Sequence, residues 1–305
     1  MSLVSMIKGR RGASGFGYAS TAEEVTDGLD LRGKTFLVTG TTSGLGLETA
    51  RVLGKRGARV IALARTKDKA AESLRSAGAE GEPVACELSE PSSVRAAVEA
   101  VRTAGASLDA LILNAGIMAL PQRTLKHGQE LQFLTNHIGH FVLVTGLLDR
   151  LTERGRVVVL SSDAHRGAPS KGILFDDLSL SRGYSPWASY GQSKLANLLF
   201  ARHLAKRLAG TKQTANAVHP GVIATNLGRH MSIIGAFYKA ADALFLKTVG
   251  EGAATQCFVA THPSLEGVTG EYFADCNVAR STRNGSDAAM AERLWTVTEE
   301  IVQKL

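Results

Sequence analysis

Short apolar runs alternate along this chain with longer stretches whose apolar residues recur at helical spacing. Thr35-Phe36-Leu37-Val38-Thr39 reads as a buried strand, with a helix over 47–55 behind it. Further strands are predicted at 59–64, 82–86, 108–113, 156–160, 214–218 and 270–273. Between them lie a helix over 91–103 capped by Ser89 and an amphipathic helix from about 129 to 151. Another helix runs through Leu195-Ala196-Asn197-Leu198 to about 208. Thr248 and Glu251 open a capping box for a helix to about 260, and 287–303 forms a terminal helix. Near the start, Thr21 and Glu24 frame a short helix that stops at Gly28. Strands alternating with helices predict an α/β fold, a single-domain Rossmann-type doubly wound parallel sheet with helices on both faces. No repeat or composition shift divides the chain. Residues 1–30 read as an N-terminal arm and 31–305 as the domain.

Composition narrows this little. A chain of 305 residues can bury a sizeable core, and 44% hydrophobic with 21% charged content is that of an ordinary soluble globular protein. The net charge of +7 is spread out, with no basic run interleaved with aromatics, so nucleic acid is not an expected partner. The excess suits anionic cofactor phosphates or general solubility. Cys86, Cys257 and Cys276 are scattered, which fits a reducing compartment and gives neither disulfide framework nor zinc site. No apolar run reads as long enough to cross a bilayer and no signal-peptide pattern opens the chain, so a soluble cytoplasmic protein without integral membrane segment is expected. Lys8, Arg10 and Arg11 offer weak contact with an anionic membrane; a solvated arm is the preferred reading.

The candidate chemistry gathers at strand ends. Gly40-Thr41-Thr42-Ser43-Gly44-Leu45-Gly46 joins the first strand to its helix, the unit that lets backbone approach a dinucleotide pyrophosphate at a helix N-terminus. Arg65 ends the second strand about twenty residues on, where an acidic residue would grip the ribose of NAD and an arginine the extra phosphate of NADP. NADP(H) is therefore favoured over NAD(H). Asn114-Ala115-Gly116 closes the fourth strand and Ser161-Ser162 the fifth. Tyr190 and Lys194 stand four apart on a helix and project from one face. Reducing a carbonyl needs a donor for the developing oxyanion and an acid to protonate it. Tyr190 can be the acid, a strand-end serine the donor, and Lys194 the cation that lowers the phenol's pKa and holds the ribose hydroxyls. His137, His140 and His165 show no ligand geometry, so no metal is expected, and these histidines are read as supporting neighbouring residues or lying at the surface.

These motifs, with Tyr190-Gly191-Gln192-Ser193-Lys194 and His219-Pro220-Gly221, resemble those of the short-chain dehydrogenase/reductase family in order and context over essentially the whole chain. Asn136-His137-Ile138-Gly139-His140-Phe141 and Gly270-Glu271-Tyr272-Phe273 are most similar to the branch holding retinol dehydrogenases, the WW-domain oxidoreductase and the chloroplast translocon-associated dehydrogenase. The resemblance implies a catalytic set of Asn136, Ser162, Tyr190 and Lys194. Asn136 would hold a water of the proton relay, and Ser162 rather than Ser161 would face the substrate. It implies cofactor contacts from Gly40, Thr42, Ser43, Gly44, Leu45, Gly46, Arg65, Glu87, Leu88, Asn114, Ala115, Gly116, Tyr190, Lys194, Pro220, Gly221, Val222 and Thr225. Glu87 stands where the family usually has aspartate. A homo-oligomer is a further family expectation.

Two apolar segments could enclose a substrate. One is Ile173-Leu174-Phe175-Asp176-Asp177-Leu178 with Tyr184-Ser185-Pro186-Trp187. The other, after Thr225, is Met231-Ser232-Ile233-Ile234-Gly235-Ala236-Phe237-Tyr238 with Ala243-Leu244-Phe245-Leu246. A lid over about 226–248 and an ordinary core helix and loop weigh equally on pattern. With the lid, the substrate is a lipophilic carbonyl or alcohol. The competing readings are an NADP(H)-sensing regulatory or scaffold protein, and a nucleotide-sugar epimerase or dehydratase, for whose larger substrate domain the chain has little room.

Overall fold

The computed structural model describes residues 9–223 and 246–305. The strands are β1 (Thr35–Thr39), β2 (Arg59–Ala64), β3 (Gly81–Ala85), β4 (Leu108–Leu113), β5 (Leu125–Lys126), β6 (Gln129–Glu130), β7 (Leu151–Leu160), β8 (Thr214–His219), β9 (Tyr272–Ala274) and β10 (Asn277–Val278). Eight of them form one sheet in the order β10-β9-β8-β7-β4-β1-β2-β3, with β5 and β6 a separate hairpin. Within the large sheet every pairing is parallel except β9 with β10. The order turns back between β1 and β4, and a doubly wound sheet opens its ligand crevice there.

Side-chain alternation sorts the strands into two cores. Leu37, Leu111 and Leu113 face a layer built from the helices Pro91–Thr103, Gly139–Leu147, Pro186–Arg207 and Ala288–Lys304. Phe36, Val38, Ala110 and Ile112 face the helices Gly44–Lys55, Lys67–Ala77 and Val249–Thr261. Burial of each such side chain larger than alanine contributes about 1.5–3 kcal/mol, so covering both faces dominates the choice of fold. The single-domain parallel sheet expected from the alternation is the one observed.

Several local expectations change. Lys67–Ala77 is an additional helix, capped by the Thr66 hydroxyl accepting from the Lys69 N–H and closed by left-handed Gly78. Ser89 does not cap the next helix: its hydroxyl donates to Glu87, and Glu90 holds the cap position with Pro91 behind it. The helix expected over 129–151 is shorter and interrupted. Gln129–Glu130 is spent in the β5–β6 hairpin, which turns through His127 and Gly128 at positive φ. Helical residues Leu131–Phe133 then lead through a π turn, Leu134–Ile138, into Gly139–Leu147, and a last turn of Leu148–Arg150 reaches β7 at Leu151.

Nor is that stretch amphipathic: Gly139–Leu147 is apolar around most of its circumference, and the six residues 139–144 are all buried. Contrary to expectation, Leu131–Arg150 is long and apolar enough to span a bilayer, with mean hydropathy 1.2, but 78% of that window is buried within the fold. A core helix passes the same test.

The N-terminal arm is not simply solvated. Asn277 Oδ1 accepts from the Ser14 N–H at 3.0 Å, and Asn277 Nδ2 donates to the Phe16 carbonyl at 3.0 Å. Phe16 packs edge-on against Phe258 and His262. A Cβ on Gly12 would lie 2.3 Å from Asn277 Oδ1, so the close approach requires glycine there. The short helix Ala22–Val25 carries the expected capping box of Thr21 and Glu24.

Candidate active site

The glycine turn is shaped by contact. Gly40 and Gly44 adopt φ of 73° and 56°. A Cβ on Gly46 would lie 2.2 Å from the Gly40 carbonyl oxygen, so helix and turn meet only without a side chain. Ser43 precedes the helix Gly44–Lys55 without a side-chain cap bond, leaving the first N–H groups free of that partner. Thr42 and Ser43 are exposed, while Leu45 is buried in the core and can offer only its main chain to a ligand. Asn114 Nδ2 donates to the Thr39 carbonyl at 2.9 Å and so ties the end of β4 to the end of β1. Ala115 follows on that turn, and a Cβ on Gly116 would lie 3.1 Å from Asn136 Oδ1 and 3.6 Å from Lys194 Nζ.

Beside the turn, the Gly40 N–H donates to the Leu63 carbonyl at 2.9 Å, and Arg65 stands exposed just past the end of β2. Glu87 accepts from the Ser89 N–H and hydroxyl at 3.1 and 3.0 Å, so its carboxylate folds back on its own turn. Leu88 is buried in the core.

At the end of β7 the two serines separate. Ser161 donates to the Lys194 carbonyl at 2.7 Å, fixing the strand to the helix Pro186–Arg207. Ser162 accepts from the Ala164 N–H at 3.2 Å and shares a side-chain hydrogen bond with Tyr190. Gly191 lets the helix close on this turn: a Cβ there would lie 2.7 Å from the Ala168 nitrogen.

Burial pushes the Tyr190 phenol up to about 12, and the Ser162 hydrogen bond opposes part of that rise. Lys194, only 4% exposed, is brought down to about 8 by burial. Its ammonium donates to the Leu160 carbonyl at 2.9 Å and lies 5.7 Å from the Tyr190 ring centre. The lowering of the tyrosine pKa expected from the lysine is not seen here: desolvation dominates at the phenol, and only the Ser162 hydrogen bond opposes it.

Asn136 sits in the π turn. Its Oδ1 accepts from the Ile117 N–H at 2.8 Å, and its Nδ2 donates to the Ile117 carbonyl and to Ser193 Oγ, each at 2.9 Å. Its main-chain carbonyl accepts from His140, which also meets Thr39. The sequence pattern does not mark Ser193, Thr39 and His140 as site residues; helical spacing from Tyr190 and Asn136 places two of them, but which neighbour they meet is a tertiary matter. His219 Nδ1 accepts from the Asp163 N–H at 3.1 Å, joining the turn after β8 to the one after β7. Pro220, Gly221 and Val222 follow, Val222 strongly exposed. Thr225 and most of the expected lid lie outside the described residues.

The other expected wall divides. Ile173, Phe175 and Leu178 pack into a small core with Phe133, Leu195 and Leu294. Tyr184 donates to the Leu120 carbonyl at 2.7 Å. Trp187 is 51% exposed and stands edge-on to Tyr190, ring centres 6.3 Å apart.

Residues 34–173 match the short chain dehydrogenase family. Over 319 aligned residues the chain is 43% identical to the short-chain dehydrogenase TIC 32 B, chloroplastic, of Brassica napus, covering all of both chains. It belongs to the short-chain dehydrogenase family. Human retinol dehydrogenase 14 is 40% identical, with 89% of this chain and 87% of that protein covered. Among solved structures, an uncharacterized protein from Mycobacterium paratuberculosis has TM-score 0.75 at 36% identity, covering 92% of this chain and 97% of its own. The angucycline C-6 ketoreductase LanV with bound NADP has TM-score 0.63 at 28% identity, covering 80% and 94%. The branch and the oxidoreductase class expected from the motifs are those of the relatives.

Proposed function

We propose that this short-chain dehydrogenase interconverts a carbonyl and an alcohol with NADP(H), with Tyr190 as the acid and base. The observation that carries the reading is the convergence of Ser162, Tyr190, Lys194 and Asn136 beside the glycine turn. The cradle suits a dinucleotide: Gly40, Gly44 and Gly46 clear the backbone, the helix behind them has no side-chain cap bond, and Gly116 leaves room beside Lys194. Gly40, Thr42, Ser43, Gly44 and the main chain of Leu45 would hold the pyrophosphate, and Asn114, Ala115 and Gly116 would border it. Arg65, exposed past β2, would take the 2′-phosphate, in keeping with the NADP bound to LanV. Glu87 and Leu88 would lie along the adenine through their main chain, Pro220, Gly221, Val222 and Thr225 along the nicotinamide.

When bound, the cofactor would supply the hydride. In the reductive direction Tyr190 passes its phenolic proton to the carbonyl oxygen as negative charge builds there, and Ser162 donates a hydrogen bond to the same region. Lys194 stabilises the phenolate left behind and holds the ribose hydroxyls, while Asn136 braces the turn at Ile117 and meets Ser193 on the catalytic helix. Exposed Trp187, edge-on to Tyr190, would favour a lipophilic substrate.

Replacing Tyr190 with Phe tests this. Turnover on a panel of lipophilic aldehydes and ketones should fall by about a thousandfold or more, with NADPH affinity nearly intact. Lost NADPH binding instead would make the tyrosine structural, and NADPH binding without turnover by the unaltered protein would favour a sensor.

A further inference from the structure

Lys247 is 1% exposed and takes no part in the chemistry above. Its main-chain N–H donates to the Val222 carbonyl at 2.8 Å, and it bridges Ile223 in parallel register. Its stem lies against Gly221: a Cβ there would come within 2.6 Å of Lys247 Cδ and 2.9 Å of Cε. Gly221 also adopts φ of 90°, so glycine is demanded twice over. The ammonium lies 2.6 Å from Asp275 Oδ1, an ion pair without hydrogen-bond alignment, and 4.8 Å from the Tyr18 ring centre. Asp275 and Cys276, both at positive φ, form the tight turn between β9 and β10.

Three separate parts of the chain therefore converge on this buried cation: the turn after β8, the β9–β10 turn and the N-terminal arm. An ammonium is costly to bury even when paired, and an apolar residue could fill the same volume. What the charge adds is direction, since Asp275 and the Tyr18 ring face fix where the stem crosses Gly221. The end of β8 lies beside the end of β7 with Ser162, on the opposite side of β1 from Arg65. The Gly221 turn therefore belongs to the nicotinamide end of the crevice rather than the adenine end.

We infer that Lys247 is a positioning residue for the Pro220-Gly221-Val222 turn and that the N-terminal arm, through Tyr18, holds it in place. The arm is thereby coupled to the nicotinamide end of the cofactor site. This rests on the NADP(H) reading above.

Lys247→Met keeps the stem and removes the charge. NADPH binding, followed by nicotinamide fluorescence, should weaken about tenfold, while adenosine 2′,5′-bisphosphate, which occupies only the adenine end, should bind as before. Tyr18→Leu and Asp275→Asn should shift NADPH binding the same way; Lys247→Arg and Tyr18→Phe should stay near the unaltered protein. If Lys247→Met does not fold, Tyr18→Leu decides the matter by the same two titrations. Unchanged NADPH affinity, or equal loss of both ligands, would overturn the inference. Failure of the unaltered protein to bind either nucleotide would overturn the NADP(H) reading, and this inference with it.

Discussion

The imidazole of His140 donates from Nδ1 to the main-chain carbonyl of Asn136 at 2.9 Å, and this bond fixes every proton around it. A carbonyl only accepts, so in the neutral ring Nε2 must accept, and it does so from the Thr39 hydroxyl at 3.0 Å. Thr39 Oγ1 in turn accepts from the Ala115 N–H at 3.0 Å. Burial holds His140 at about 4, so the ring stays neutral near pH 7. One polar chain thus links the turn after β4, the end of β1 and the π turn carrying Asn136.

Replacing His140 with Phe keeps the ring volume and cuts both bonds. Unsatisfied Thr39 and Asn136 should cost about 1–3 kcal/mol of stability. Turnover should fall about tenfold or more, with a smaller change in NADPH affinity. Denaturant melts and steady-state rates check both; an unchanged kcat would restrict the ring to packing.

Lys194 gives a pH dependence with a definite sign. Its ammonium persists below about 8 rather than 10.5, while Tyr190 keeps its proton to about 12. In the reductive direction kcat/KM should be level up to about pH 8 and fall roughly tenfold per unit above it. Initial rates between pH 6 and 10 show this, and a flat profile to 9.5 would mean the ammonium is dispensable. Stability moves oppositely. Between about 8 and 10.5 the unfolded chain holds the proton that folded Lys194 has released, so this group's own contribution to folding rises with pH. Buried Cys86, Cys257 and Cys276, pushed up to about 12, contribute in the opposite direction above about 9.

Acid acts through His137, buried among Phe133, Phe141 and Phe200 and paired with Thr298 at 3.0 Å. Burial lowers it to about 3, so between 6.5 and 3 the unfolded chain binds more protons and stability falls as pH drops. His140 adds a second proton over a similar window. Urea melts at pH 7, 6, 5 and 4 should show that loss. His137→Phe should remove about one proton's share, and the same slope in the variant would place the loss elsewhere.

Arg65 decides cofactor preference in this reading. Arg65→Asp should move the ratio of NADPH to NADH affinity by about 100-fold towards NADH, through loss of a phosphate partner and gain of a ribose one. Parallel fluorescence titrations measure it, and an unmoved ratio would remove Arg65 from the phosphate site.

The alternation of apolar runs with helical spacing was enough to read the central sheet, because strands buried on both faces leave continuous signatures such as Phe36-Leu37-Val38. The helix Lys67–Ala77 escaped because its stretch is polar and its apolar face narrow. The break at Leu134–Ile138 escaped because a π turn leaves no mark in hydrophobic period. Tyr190, Lys194 and Ser162 were legible as types at strand and helix positions, although the choice of Ser162 over Ser161 came from family resemblance. Lys247 was not legible: a single lysine before a capping box looks like surface until Asp275 and Tyr18 close around it.

The two tryptophans stand in unlike surroundings. Trp295 is buried, stacked on Phe200 and covered by the Arg207 guanidinium, while half-exposed Trp187 meets Tyr190 edge-on at the catalytic helix. The molecule therefore carries two separate optical probes. Light emitted by Trp295 follows whether the core is intact, and light emitted by Trp187 follows what occupies the space above Tyr190, so unfolding and occupancy can be told apart without any label.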